Sequence, residues 1–132
     1  MTARSIRSAA ISVSLGLALT ACASEPPDEW HYMYATIIAP QCTTSACHAS
    51  LSNAGNVDLH DDAAAYRTLT GRACDDTAAP IGGYVDPANP RGSLLVNLLR
   101  RTDPGGMPPT GRLAAAEIAL IETWIAGGAL CE

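Results

Sequence analysis

Cys42-Thr43-Thr44-Ser45-Ala46-Cys47-His48 is the stretch on which the reading of this chain turns. It places two thiols on one short turn of chain and an imidazole directly after the second. Covalent haem attachment asks for that set, because each thiol adds to one haem vinyl group and the His after the second Cys is placed to reach the iron. The usual spacing is Cys-x-x-Cys-His; here four residues separate the thiols, so the intervening loop has to bulge outward for both sulfurs to meet the porphyrin edge. Other readings use the same residues. Cys42 and Cys47 can form a disulfide with each other, or bridge to Cys74 and Cys131, and four thiols allow three connectivities. A zinc site from Cys42, Cys47, His48 and His60 has suitable ligand types, but its spacing matches no common structural zinc pattern. Disulfides alone leave His48 without a reason: with three His in 132 residues, composition puts His at one given position about 2% of the time.

Upstream of the motif, Trp30, Met33, Tyr34, Ile37 and Ile38 recur at spacings of three and four, the apolar stripe of an amphipathic helix ending near Pro40. Downstream, Leu51 to Val57 is small and polar and reads as a loop. Asp61 to Leu69 reads as a short helix with acids at its positive end and Gly71 after it. Residues 72–90 are punctuated by Gly and Pro and read as irregular. Asn89-Pro90 offers an N-cap and first position for a third helix carrying Leu94, Leu95, Leu98 and Leu99, with Arg100 and Arg101 at its negative end. Thr102 to Gly111 holds three Pro and three Gly around Met107 and is a stiffened loop. The last segment, Ala114 to Ala126, puts Ile118, Ile121, Trp124 and Ile125 on one face and ends at Gly127-Gly128. No alternation suggests a sheet. The expected class is all-α, with three to four helices and long loops.

The N-terminus reads as an address. Arg4 and Arg7 precede an apolar run from Ala9 to Ala18, which is the pattern of a secretory signal peptide and well short of the ~20 residues a spanning helix needs. Leu19-Thr20-Ala21-Cys22 resembles the bacterial lipobox, in which the Cys is acylated and becomes the first residue of the mature lipoprotein. That gives a signal peptide over 1–21, an acylated Cys22 with a short linker over 22–29, and one domain over 30–132. The resemblance implies more than one acyl chain on Cys22, enough for stable membrane attachment. By the usual sorting rule, the lack of Asp after Cys22 points to the outer membrane rather than the inner.

From Trp30 to about Ala129 the chain resembles the small class I c-type cytochromes, especially exported cytochrome c-like domains with the four-residue spacing. The residues that carry the likeness are the helix before the motif, Gly105-Gly106-Met107-Pro108-Pro109 as a distal-ligand loop, and the closing helix from Leu113 to Gly128. Val85 to Pro90, leading into Leu94 and Leu98, is similar to the segment before that loop. The resemblance implies one covalent haem c on Cys42 and Cys47, His48 as the proximal iron ligand and Met107 as the distal one, with His60 the rival distal ligand. It leaves Cys74 and Cys131 for a disulfide. Arg67, Arg72 and Arg91 are candidates for the haem propionates, while His31 reads as a surface residue. Relatives usually carry Ser or Thr at the cap of the last helix, where this chain has Ala114.

Composition narrows the function classes. The formal net charge is -5, and all eight basic residues are Arg. An acidic chain repels the phosphate backbone that dominates nucleic-acid affinity, so that partner class is set aside. With no Lys there is no lysine-ringed docking face, and electrostatic steering favours a basic patch on the unidentified redox partner. No Ser-His-Asp set, phosphate loop or paired-carboxylate site is recognisable, and the expectation is an electron carrier rather than an enzyme. The competing expectation is a cofactor-free, disulfide-stabilised envelope lipoprotein with a structural or binding role. Phe is absent altogether, so large side chains are scarce for a core.

Overall fold

A computed structural model of the chain describes residues 26–77 and 81–132. The expected signal peptide over 1–21 and the expected acylated Cys22 lie outside the described residues. Among the described residues the fold is all-α, with four helices, two short 3-10 turns and no strand. No described helix is long and apolar enough to cross a membrane.

Helix α1 runs without a break through Trp30–Met33, a π-helical turn at Tyr34–Ile38, and Ala39–Cys42. The sequence reading ended it near Pro40, but the helix passes through that residue to Cys42. Proline lacks an N–H and its ring crowds the carbonyl four residues back. The wider turn relieves this, since the Ala39 N–H donates to the Tyr34 carbonyl, five residues back. Helix α2, Asp62–Thr70, is capped by the Asp61 carboxylate, which accepts from the Ala64 N–H at 2.7 Å. It ends at Gly71, whose φ of 75° suits glycine.

Helix α3, Leu94–Arg100, starts later than the sequence suggests. Asn89 caps a separate 3-10 turn, Pro90–Gly92, and α3 follows Ser93, whose buried hydroxyl accepts from the Asp86 N–H at 2.9 Å. Of its expected apolar stripe, Leu99 is buried and Leu94 is half exposed. Helix α4, Ala115–Ala126, buries the face read from the sequence: Ile118, Ile121, Trp124 and Ile125. At its start the Glu117 carboxylate accepts from the Ala114 N–H at 2.7 Å, the half of a capping box that needs no hydroxyl at the cap.

Three helices meet at an aromatic cluster. The Trp30 ring of α1 lies 5.3 Å from Tyr66 of α2 and 5.2 Å from Trp124 of α4, distances at which ring contacts add to plain burial. Each ring's polar atom finds a partner: the Trp30 Nε1 donates to Asp62 at 2.6 Å, the Trp124 Nε1 to the Leu130 carbonyl at 2.7 Å, and the Tyr66 hydroxyl to the Ala129 carbonyl at 2.8 Å. The buried Arg72 completes the cluster, donating to the Tyr66 hydroxyl and to the carbonyls of Gly128 and Ala129. Cys74 and Cys131 are joined as a disulfide, with Cα atoms 5.2 Å apart.

Candidate functional site

The helix α1 delivers Cys42 at its last position, and the chain then folds back on itself. The Cys47 N–H donates to the Thr44 carbonyl at 2.8 Å, closing a turn over the inserted residues. The His48 N–H donates to the Cys42 carbonyl at 3.0 Å, returning the chain to the helix end. Thr44, Ser45 and Ala46 are exposed, so the extra residues do bulge outward. Beyond the motif, the Ser52 hydroxyl and the Ala54 N–H both donate to the Cys47 carbonyl, and the Leu59 N–H donates to the His48 carbonyl. The motif is therefore fastened on both sides by main-chain bonds.

His48 Nδ1 lies 3.1 Å from the Val57 carbonyl. A carbonyl only accepts, so this contact puts the ring proton on Nδ1 and leaves the lone pair on Nε2. Metal-ligating histidines use such a contact to fix tautomer and orientation. Cys42 and Cys47 are free thiols, and the Thr44 hydroxyl donates to the Cys47 sulfur at 3.0 Å. Burial, and secondarily the neighbouring Cys47, push the Cys42 thiol up to about 11.

Met107 is brought to the same place by a separate device. The Arg101 guanidinium grips Asp103 with two bonds of 2.9 Å, and Asp103 accepts from the N–H groups of Gly105 and Gly106. A Cβ on Gly106 would stand 2.6 Å from the Arg101 carbonyl oxygen, so only glycine lets the loop press against the end of α3. The Met107 N–H then donates to the Leu98 carbonyl at 2.9 Å.

These pieces enclose one cavity of about 380 Å³. Cys42, Cys47, His48 and Met107 all line it. The rest of its wall is mostly aliphatic: Val57, Leu59, Leu69, Leu95, Leu98 and Leu99, with Pro108 and Pro109 beside Met107. Tyr84 and Gln41 also line it. Gln41 is held at its edge by a 2.9 Å bond to Glu117 of α4, which ties the residue before Cys42 to the closing helix.

Other residues singled out from the sequence lie elsewhere. His60 does not line the cavity; its ring bonds Asp58 at 2.6 Å and Asp61 at 2.8 Å, and these carboxylates raise its pKa. Of the two candidate distal ligands, Met107 lines the cavity and His60 does not. None of the three Arg proposed for propionates lines the cavity: Arg72 is spent inside the aromatic cluster, Arg91 lies 3.7 Å from Glu122, and Arg67 is exposed on α2. His31 is exposed, as expected, and its Nδ1 bonds Asp62 at 2.7 Å. Sequence reasoning missed Val57, whose carbonyl orients His48, and Gln41, whose partner is 76 residues away. The joined Cys74 and Cys131 exclude bridges from either of them to Cys42 or Cys47. No family model, curated protein or solved structure matches the chain.

Proposed function

We propose that the chain is an exported, lipid-tethered class I c-type cytochrome that carries single electrons in a bacterial envelope. The observation that carries this reading is the convergence of Cys42, Cys47, His48 and Met107 on one apolar cavity. The donor set fits haem c: two reduced thiols for the vinyl groups, an imidazole with its Nε2 lone pair available, and a thioether. When bound, haem c supplies a one-electron couple between ferrous and ferric iron.

The chain's own residues do the remaining work. Cys42 and Cys47 anchor the group, and the Val57 carbonyl keeps the His48 ring in the tautomer and orientation an iron ligand needs. Met107, on a loop fastened to α3, would hold the iron together with His48, a pairing that would favour a higher potential than two histidines. Leu69, Leu95, Leu98 and Leu99 keep water from the centre of the cavity and lower its dielectric. Were both His48 and Met107 to hold the iron, no position on it would be open to a substrate, and the group would supply one-electron transfer as in a carrier. Acyl chains on Cys22 hold the domain at the membrane, the outer membrane by the sorting rule, within reach of a redox partner protein.

The test is to express the full chain in a bacterial host with cytochrome c maturation, reduce it with dithionite and record its spectrum. Sharp Soret and α bands are expected, from a haem that stays with the chain through denaturing electrophoresis. A colourless protein retaining free thiols at Cys42 and Cys47 would overturn the reading.

A further inference from the structure

A second cluster of ligand-bearing side chains lies at the other end of α1. His31, Cys74 and Cys131 each offer a donor atom, and the three atoms lie within 4.8 Å of one another. In the oxidised chain the two sulfurs are used up by their mutual bond. We propose that reduction of the Cys74–Cys131 disulfide opens a binding site for one thiophilic divalent cation of the zinc class, built from both thiolates and the His31 imidazole.

The chemistry balances with an external dithiol as reductant. It gives two electrons and two protons to the disulfide and becomes a disulfide itself, leaving thiols at Cys74 and Cys131. Cation binding then displaces those two protons. Zinc–sulfur bonds of about 2.3 Å and zinc–nitrogen bonds of about 2.1 Å set tetrahedral donors roughly 3.5–4 Å apart. The imidazole therefore has to close by no more than about 1 Å, the two sulfurs have to part from a covalent distance of about 2 Å to that spacing once reduced, and a fourth position remains for water.

What makes this a site rather than a coincidence is that the segments carrying Cys131 and His31 are held by bonds that do not pass through the disulfide, and that Cys74 stands two residues from a buried anchor. The tail around Cys131 is pinned on both sides: the Gly128 and Ala129 carbonyls by Arg72, the Leu130 carbonyl by Trp124, and the Glu132 carbonyl by the Trp30 N–H at 2.7 Å. Cys74 follows two residues after the buried Arg72, and its sulfur lies 3.8 Å from the Cys131 carbonyl. His31 follows Trp30 directly, and its Nδ1 bonds the Asp62 carboxylate at 2.7 Å. That carboxylate is itself fixed by the Trp30 Nε1 at 2.6 Å. A carboxylate behind a ligating imidazole is the arrangement that raises ligand basicity and fixes the ring. The cluster shares no residue with the haem reading, and the two stand or fall separately.

Native mass spectrometry with zinc ion as the probe tests the proposal on the full chain, oxidised and after anaerobic reduction with a phosphine that is then removed. One zinc per chain is expected in the reduced form and none in the oxidised form, whose Cys42 and Cys47 serve as the internal control. His31→Ala, an exposed change, should weaken zinc binding at least about tenfold in competition with a chelator, and Asp62→Asn about 10–100-fold. A reduced chain that takes no zinc would overturn the proposal, as would binding unchanged in His31→Ala or equal binding to the oxidised chain. Loss of the helical circular dichroism on reduction would overturn it too, since the donors are argued to stay placed without the bond.

Discussion

His48 and His60 carry the same side chain and differ in what their neighbours leave them. One nitrogen of His48 meets a carbonyl and the other is left with its lone pair beside the cavity, whereas both nitrogens of His60 meet carboxylates. His60→Ala should therefore leave the visible spectrum of the haem-loaded protein unchanged. Met107→Ala should remove the weak iron–sulfur charge-transfer band of the ferric form and lower the reduction potential. Cys42 gives a pH prediction for the haem-free chain. Its thiol titrates at about 11 when folded against 9.0 when exposed, so the unfolded chain loses its proton first. The stability this contributes is fully present below pH 9 and falls by about 2–3 kcal/mol as pH rises towards 11. Urea denaturation at stepped alkaline pH should show that decline, and Cys42→Ala should lack it. At this scale the motif was readable from adjacency alone, but the Arg roles were not. Arg72 looks like any surface arginine until Tyr66 and the tail carbonyls surround it.

Among the elements, the helices whose apolar spacing is uninterrupted were legible, and those whose ends depend on distant partners were not. Ile118, Ile121, Trp124 and Ile125 declared α4 by their spacing, and Asp61 and Gly71 marked α2. Pro40 marked the end of α1 to within two residues, and the π-helical turn upstream that carries the helix on to Cys42 leaves no mark of its own in the residue types. Asn89 gave a false start because it caps a 3-10 turn, while the buried Ser93 begins α3. Glu117 links two elements at once, capping α4 and holding Gln41 at the end of α1. Glu117→Ala should cost about 1–2 kcal/mol by chemical denaturation, and Glu117→Gln should keep most of it. In the Met107 loop, Gly106→Ala has to push Arg101 aside, and should destabilise by about 1–3 kcal/mol while weakening the same charge-transfer band.

Across the whole molecule the scarce aromatic bulk is unevenly spent. Both Trp and Tyr66 sit together in the cluster where Trp30 meets the C-terminal residues, whereas aliphatic side chains and a single Tyr line the cavity. A chain of this size without Phe has little apolar area to spare, so the haem-free form should melt at markedly lower temperature and less cooperatively than the loaded one. Calorimetry of the two forms checks this, and a haem-free protein with an equally high, sharp transition would contradict it. Reducing the Cys74–Cys131 bond, with a sequence separation of 57, should remove about 4 kcal/mol on chain-entropy grounds. The bond from the Trp30 N–H to the Glu132 carbonyl has a consequence for orientation. It gathers the beginning and the end of the folded domain at one pole, while Cys42 closes α1 at the other, roughly 18 Å away at ~1.5 Å per residue. On the proposed acylation of Cys22, a membrane tether would pull on the first pole; the cavity end of the helix would then be held off the bilayer, and electrons would be exchanged with partners that stand away from the membrane rather than in it.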